Sequence, residues 1–310
     1  MSDYVSDLYK ASGFEIDNCC VLGLHYTREW GYKPDVGETW VIRTKPAPVP
    51  DKVIFHAVYG FAGAMFTGLW RSEKAVYAVM SDGDIQMADV SDMEPGSWKV
   101  QKFPGAVMDG VWGLDDKHVF AWYKTLDDEP HVVLYNGRQW KELPPPPGRI
   151  LAMHGLGPDF VYAVGFGGLL ARWDGKSWTK ITIPTKAVMT SVFVAGTDEM
   201  YAVGHDKALW EGSSSGWGKV ATGPGSLYGV AKFAGEVWIG AEEHGLWKRS
   251  RNKLVCVDPD LHAQAMDCRK VLLITSTEML AETSDGKKFT KKAQGLLAKI
   301  RDPKPKLWLR

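Results

Sequence analysis

The sequence predicts an all-β chain, a β-propeller of four-stranded blades, on three observations. A short apolar–aromatic phrase recurs at blade-length intervals. Asn-Gly and Asp-Gly turns follow it in the same order in three copies. The chain also holds fourteen Trp and thirty-three Gly, a composition that fits many tight turns pinned by large flat side chains.

The phrase is an apolar residue, an aromatic, a small residue and then Val or an equivalent. It reads Val76-Tyr77-Ala78-Val79, Val119-Phe120-Ala121-Trp122, Val161-Tyr162-Ala163-Val164 and Met200-Tyr201-Ala202-Val203. It returns as Val237-Trp238-Ile239-Gly240 and, more loosely, as Val271-Leu272-Leu273-Ile274. Its second positions fall at 77, 120, 162, 201, 238 and 272, in steps of 43, 42, 39, 37 and 34 residues. A period of that size is the signature of a propeller blade.

Each copy is expected to be an inner strand with companions in constant order. About ten residues upstream lies another strand, at 66–70, 107–112, 151–156, 191–195 and 227–231. Downstream, in the clearest copy, a third strand runs through residues 167–173, and the turn Asp174-Gly175-Lys176-Ser177 leads to a fourth opening at Trp178. The same turn precedes Trp140, as Asn136-Gly137-Arg138-Gln139, and Phe289, as Asp285-Gly286-Lys287-Lys288. Such dipeptides between apolar runs are strong hairpin signals, because Asn and Gly tolerate the positive φ that tight turns need.

These turns resemble the Asp-box family of propeller repeats, whose pattern is Ser/Thr-x-Asp-x-Gly-x-x-Trp. The nearest copy is Thr283-Ser284-Asp285-Gly286-Lys287-Lys288-Phe289, and residues 172–178 give a looser one. The stretch 161–178 also resembles bacterial tandem repeats of the form VYAVG…RWDG.SW. The resemblance spans residues 64–292 and implies a propeller fold. It implies no activity, since the turns are structural devices on the blade rim. Sialidases carry them too, but their arginine triad and Tyr/Glu pair match no motif in this chain.

Seven blades are expected, with six or eight as alternatives, in a single domain over residues 1–310. Residues 64–292 supply the regular repeats. Residues 1–63 and 293–310 are expected to close one further blade between them, with 21–24 as an inner strand, 39–42 as an outer one and 306–310 as the last. Joining both ends in one blade would remove exposed sheet edges. The proline runs at 46–50 and 144–147 read as connectors, because a segment without backbone donors leaves a sheet readily.

Thirty-seven basic and thirty-seven acidic residues balance, so the basic excess expected of a nucleic-acid partner is missing. No apolar run is long enough to span a membrane, and the acidic N-terminus does not read as a secretory signal. Cys19, Cys20, Cys256 and Cys268 lack the spacing of a disulfide framework or a zinc site. They read as thiols in a reducing compartment, which suggests the cytoplasm. HExxH and P-loop motifs are absent. No cofactor, metal or catalytic residue is therefore expected.

The expected partner is another protein, met by a monomeric propeller at loops following the phrase. Those loops supply Asp82, Asp84, Lys124, His205, Asp206, Glu242, Glu243 and His244. His205 and His244 occupy matching places in adjacent repeats and should lie side by side. Trp98, Trp140, Trp178 and Trp217 recur in register and read as core. Trp70 and Trp122, with Trp30 and Trp308, fall outside that register and read as apolar anchors beside the charges. An interaction scaffold, or an immunity protein covering a partner's active site, follows from that arrangement. A lectin-like glycan binder is the alternative and would repeat one aromatic pocket in several blades. A hydrolase or lyase would instead gather acids and bases in the funnel.

Overall fold

A computed structural model describes residues 4–27, 37–49 and 52–293. They form seven antiparallel sheets of four strands each, every sheet built from consecutive strands. Blades 1 to 7 cover residues 4–62, 66–102, 106–142, 150–180, 189–222, 229–258 and 265–293. The strands of each blade are called a to d in chain order.

Strand a is innermost. The seven a strands are Tyr4–Glu15, Phe66–Arg71, Ala106–Asp115, Ile150–Gly157, Met189–Gly196, Gly229–Phe233 and Ala265–Cys268. Residues from all seven line one axial cavity. The recurring phrase occupies strand b, so its placement as the inner strand is corrected. Strand b has neighbours on both edges and blades packed on both faces, so it reads as an unbroken buried run, as in Phe160–Gly165 and Glu199–Gly204. Strand a turns alternate residues toward the channel, and its burial is interrupted accordingly.

The count of seven stands, but the closing blade differs from the expected one. Blade 1 takes all four strands from residues 4–62, including 21–24 in strand b and 39–42 in strand c. The strand expected at 306–310 lies outside the described residues. The ring closes by side-by-side contact of blades 7 and 1. Leu8 donates its N–H to the Thr277 carbonyl at 2.9 Å, and the Gly13 and Ile16 N–H groups donate to Asp267 and Glu282 at 3.0 and 2.7 Å.

The Gly turns share one geometry. Oδ1 of Asn136, Asp174 and Asp285 each accepts the backbone N–H groups two and three residues on. Gly137, Gly175 and Gly286 lie between them at φ of 88°, 91° and 70°, a region that disfavours any Cβ.

Between blades lie seven apolar clusters. Trp70 and Trp122 belong to two of them and are buried, which corrects their reading as surface anchors. Strand a of blade 3 makes their room: a Cβ on Gly113 would meet the Trp70 ring at 2.8 Å, and one on Gly110 the Trp122 ring at 2.3 Å. Trp98 is buried as expected, while Trp140, Trp178 and Trp217 are half-buried beside the cores.

Candidate functional site

Because the strands alternate in direction, the b–c loops and the d–a connections share one end of the ring, here the upper face. The a–b and c–d turns share the lower face. Hydrogen bonds tie neighbouring upper loops together: Gly168 N–H to Ala187 O, His205 N–H to Val188 O and Glu242 N–H to Ala263 O.

Of the residues marked by sequence, Asp82, His205, Asp206, Glu242, Glu243 and His244 all lie in upper-face loops. Asp82, His205, Glu243 and His244 are exposed. Asp84 opens strand c of blade 2 and is buried, 4.0 Å from Lys102 Nζ. Asp206 is not a free surface acid. It accepts the Ala208 N–H and the Trp210 indole N–H, both at 3.1 Å, and so anchors its own loop. Trp30 and Trp308 lie outside the described residues.

His205 and His244 stand in the b–c loops of adjacent blades 5 and 6. The His205 ring stands 5.6 Å from the Tyr228 ring. The Tyr228 phenol hydrogen-bonds Glu242, which pushes its pKa up. Glu242 holds a positive φ of 47° in the short turn Glu242–His244 and accepts from Gln264 Nε2 at 3.0 Å. Glu243 projects beside it with its side chain 82% exposed, 3.8 Å from His244 Nε2. No three His, Cys, Asp or Glu side chains among the described residues are arranged to hold a metal ion.

Blades 3 and 4 add what the sequence reading missed. Leu126 stands at the tip of the blade 3 loop, 81% exposed. Phe166, 40% exposed, projects from the blade 4 loop. The Arg149 guanidinium lies 4.6 Å from the Phe166 ring centroid and forks onto Asp109 with bonds of 2.8 and 2.7 Å. Lys124 pairs with Asp128 and holds its carboxyl below the usual range. Two apolar side chains thus stand among paired charges on the same face as Glu243. The signal for Phe166 was the Gly167-Gly168 pair behind it: both have positive φ, and a Cβ on Gly168 would meet Thr185 O at 2.1 Å. Leu126 carries no such signal in its acidic loop.

The axial channel is a cavity of about 630 Å³. Toward its lower end Arg269 donates to Asp267 at 3.1 and 3.0 Å, to Ser12 Oγ at 2.9 Å and to the Arg71 carbonyl at 2.6 Å. Asp267 also receives the Gly13 N–H. With three donors on it, Asp267 is a structural carboxylate at the blade 7–1 seam, poorly placed to accept a substrate proton. His154 accepts the Val194 N–H at Nδ1 (3.1 Å) and is flanked by the rings of Phe193 and Trp112 at 4.4 and 5.5 Å. Burial draws its pKa down to about 4.

No family model matches the chain. It is similar to the immune protein Tsi7 of Pseudomonas aeruginosa, 27% identical over 173 residues, covering 52% of this chain and 53% of that protein. The chain therefore spans about half the length of this curated relative. Among solved structures it superposes on the WD40 β-propeller domain of Doa1 with a TM-score of 0.66 at 8% identity, covering 89% of this chain and 95% of that one. It also superposes on YCF48, solved bound to a D1 peptide, with a TM-score of 0.57 at 12% identity, over 89% and 91% of the two chains. These likenesses establish the propeller fold. No helix among the described residues is long and apolar enough to cross a membrane, which says nothing about β-barrels.

Proposed function

We propose that this chain is a non-catalytic immunity protein, a propeller that captures a toxic protein and covers its active site with the upper face. The similarity to an immune protein carries this reading. The chemistry of the face supports it. Leu126 and Phe166 offer apolar anchors, and Arg149, Asp128, Glu242 and Glu243 offer a charged surround, the mixture found where a hot spot is ringed by polar groups. Paired, pre-positioned charges such as Arg149–Asp109 also lose little side-chain freedom on docking. In this reading the propeller acts as a monomer in the cytoplasm, where its four free thiols stay reduced.

The lectin reading loses two of its four candidate platforms, because Trp70 and Trp122 are packed between blades. The test is co-expression with the product of the neighbouring gene. Protection from that product's toxicity, with co-elution of the two purified proteins as one complex, is the expected result. Continued toxicity without a complex would overturn the assignment.

A further inference from the structure

The channel holds a cation, Lys10, with no committed partner among the described residues. Lys10 lies on strand a of blade 1, half-buried, with its side chain lining the cavity. It makes no hydrogen bond or ion pair with another described residue. Asp267 acts on it through space, but that carboxylate is already held by Arg269 and by the Gly13 N–H. Burial consequently outweighs Asp267 and pulls the Lys10 pKa down. A desolvated ammonium with no partner among the described residues is costly, and an anion entering the channel would offset that cost.

The far wall of the same channel is aromatic. Trp112, His154 and Phe193, from blades 3, 4 and 5, form a row with ring centroids 5.5 and 4.4 Å apart. His154 belongs to this row as a neutral ring. Its Nδ1 is occupied as an acceptor, so the proton sits on Nε2, which has no partner among the described residues. Asp115 and Asp116 at the lower mouth are engaged with other partners. Asp116 receives the Ser72 hydroxyl, and Asp115 receives His118 and the Lys117 N–H. A cavity of about 630 Å³ falls in the size range of small-ligand sites, which pair mostly apolar walls with a few polar groups.

We infer that the channel is a binding site for a small organic monocarboxylate, with the carboxylate paired to Lys10 and a flat apolar body against the Trp112–His154–Phe193 row. The site is independent of the upper face and of any protein partner.

Calorimetric titration of the intact protein with benzoate and with benzamide, its neutral isostere, tests this. Benzoate should bind in the millimolar range or tighter, and at least about tenfold more tightly than benzamide, the factor that corresponds to one strong charge contact. Lys10→Met, which keeps the volume, should abolish the preference without lowering the melting temperature. Lys10→Arg, which keeps the charge, should retain it within a few-fold. Phe193→Ala should weaken both probes together. Absence of benzoate binding up to about 10 mM, or a preference that survives in a folded Lys10→Met protein, would overturn the proposal. Should Lys10→Met fail to fold, loss of the preference in Lys10→Arg would overturn it equally.

Discussion

His154 is the residue whose titration the fold perturbs most usefully. Its pKa is about 4 in the native protein against 6.5 for the ordinary side chain. Between those values the unfolded chain holds a proton that the native state does not, so stability falls as pH drops through this window. His154→Phe should remove that component, which amounts to at most about 3 kcal/mol, and flatten the difference in stability between pH 6.5 and pH 4. Urea unfolding at several pH values measures it, and a variant with an unchanged slope contradicts the neutral-ring assignment. The thiols allow a second test at this scale. Cys19 and Cys20 are buried; burial pushes Cys20 up to about 11 and Cys19 higher still. Cys268 is half-buried and raised to about 12, while Cys256 is exposed. Thiolates are the reactive form, so brief alkylation of the native protein at mildly alkaline pH should label Cys256 alone, as peptide mass mapping would report. Labelling of Cys19 or Cys20 without unfolding would show those sites to be open. Cysteine spacing alone supported inert thiols. It could not separate the exposed one, because exposure depends on which strand of a blade a residue takes: Cys256 lies on the outermost strand of blade 6, where residues 255–257 are all exposed.

At the level of the blade, the repeating turns and the phrase were legible because both are local. Turn chemistry depends on two or three adjacent residues, and strand b is apolar whatever lies around it. The order of strands from axis to rim was less legible. The most hydrophobic strand is the one with neighbours on every side, and here that is the second strand. The misplaced tryptophans have a similar origin: Trp70 and Trp122 are sheltered by Gly113 and Gly110 in another strand, a contact no local pattern encodes. Two substitutions in blade 4 test the element. Gly175→Ala places a Cβ at φ 91° and within 3.0 Å of the Asp159 Cβ, and should cost about 1–2 kcal/mol. Trp173 is buried and donates its indole N–H to Pro158 O at 3.0 Å. Trp173→Ala should cost roughly 3–5 kcal/mol, and Trp178→Ala less, because Trp178 is only half-buried. Chemical denaturation ranks the three, and a Trp178 loss exceeding that of Trp173 would contradict the packing.

For the whole molecule, closure couples blades that lie far apart in sequence. Arg269 joins Ser12, Asp267 and the Arg71 carbonyl across blades 7, 1 and 2, so removing the innermost strand of blade 1 opens the ring. A chain lacking residues 1–17 should melt at lower temperature and with a broader transition than the intact protein, and calorimetry giving identical melts would contradict closure through blade 1. The circle itself also decides which loops can act together. Sequence order placed His205 and His244 in matching loops of adjacent blades, yet it could not bring Arg149 against Phe166 or put Leu126 on the same face, since those relations arise only when the blades are arrayed around the axis. Asp206, bound to the Trp210 indole, is now expected to lose stability on charge reversal, whereas Glu243, with its side chain 82% exposed, is not. The most direct measurement is therefore the affinity of the protein for the toxin proposed as its partner after Leu126→Asp and Phe166→Asp are combined, with Leu156→Asp on the lower face as the control. The account predicts a loss of at least about 100-fold for the upper-face pair, equivalent to roughly 2.7 kcal/mol, at nearly unchanged melting temperature, and full affinity for the control. Undiminished affinity in the upper-face pair, or a loss confined to Leu156→Asp, would contradict it.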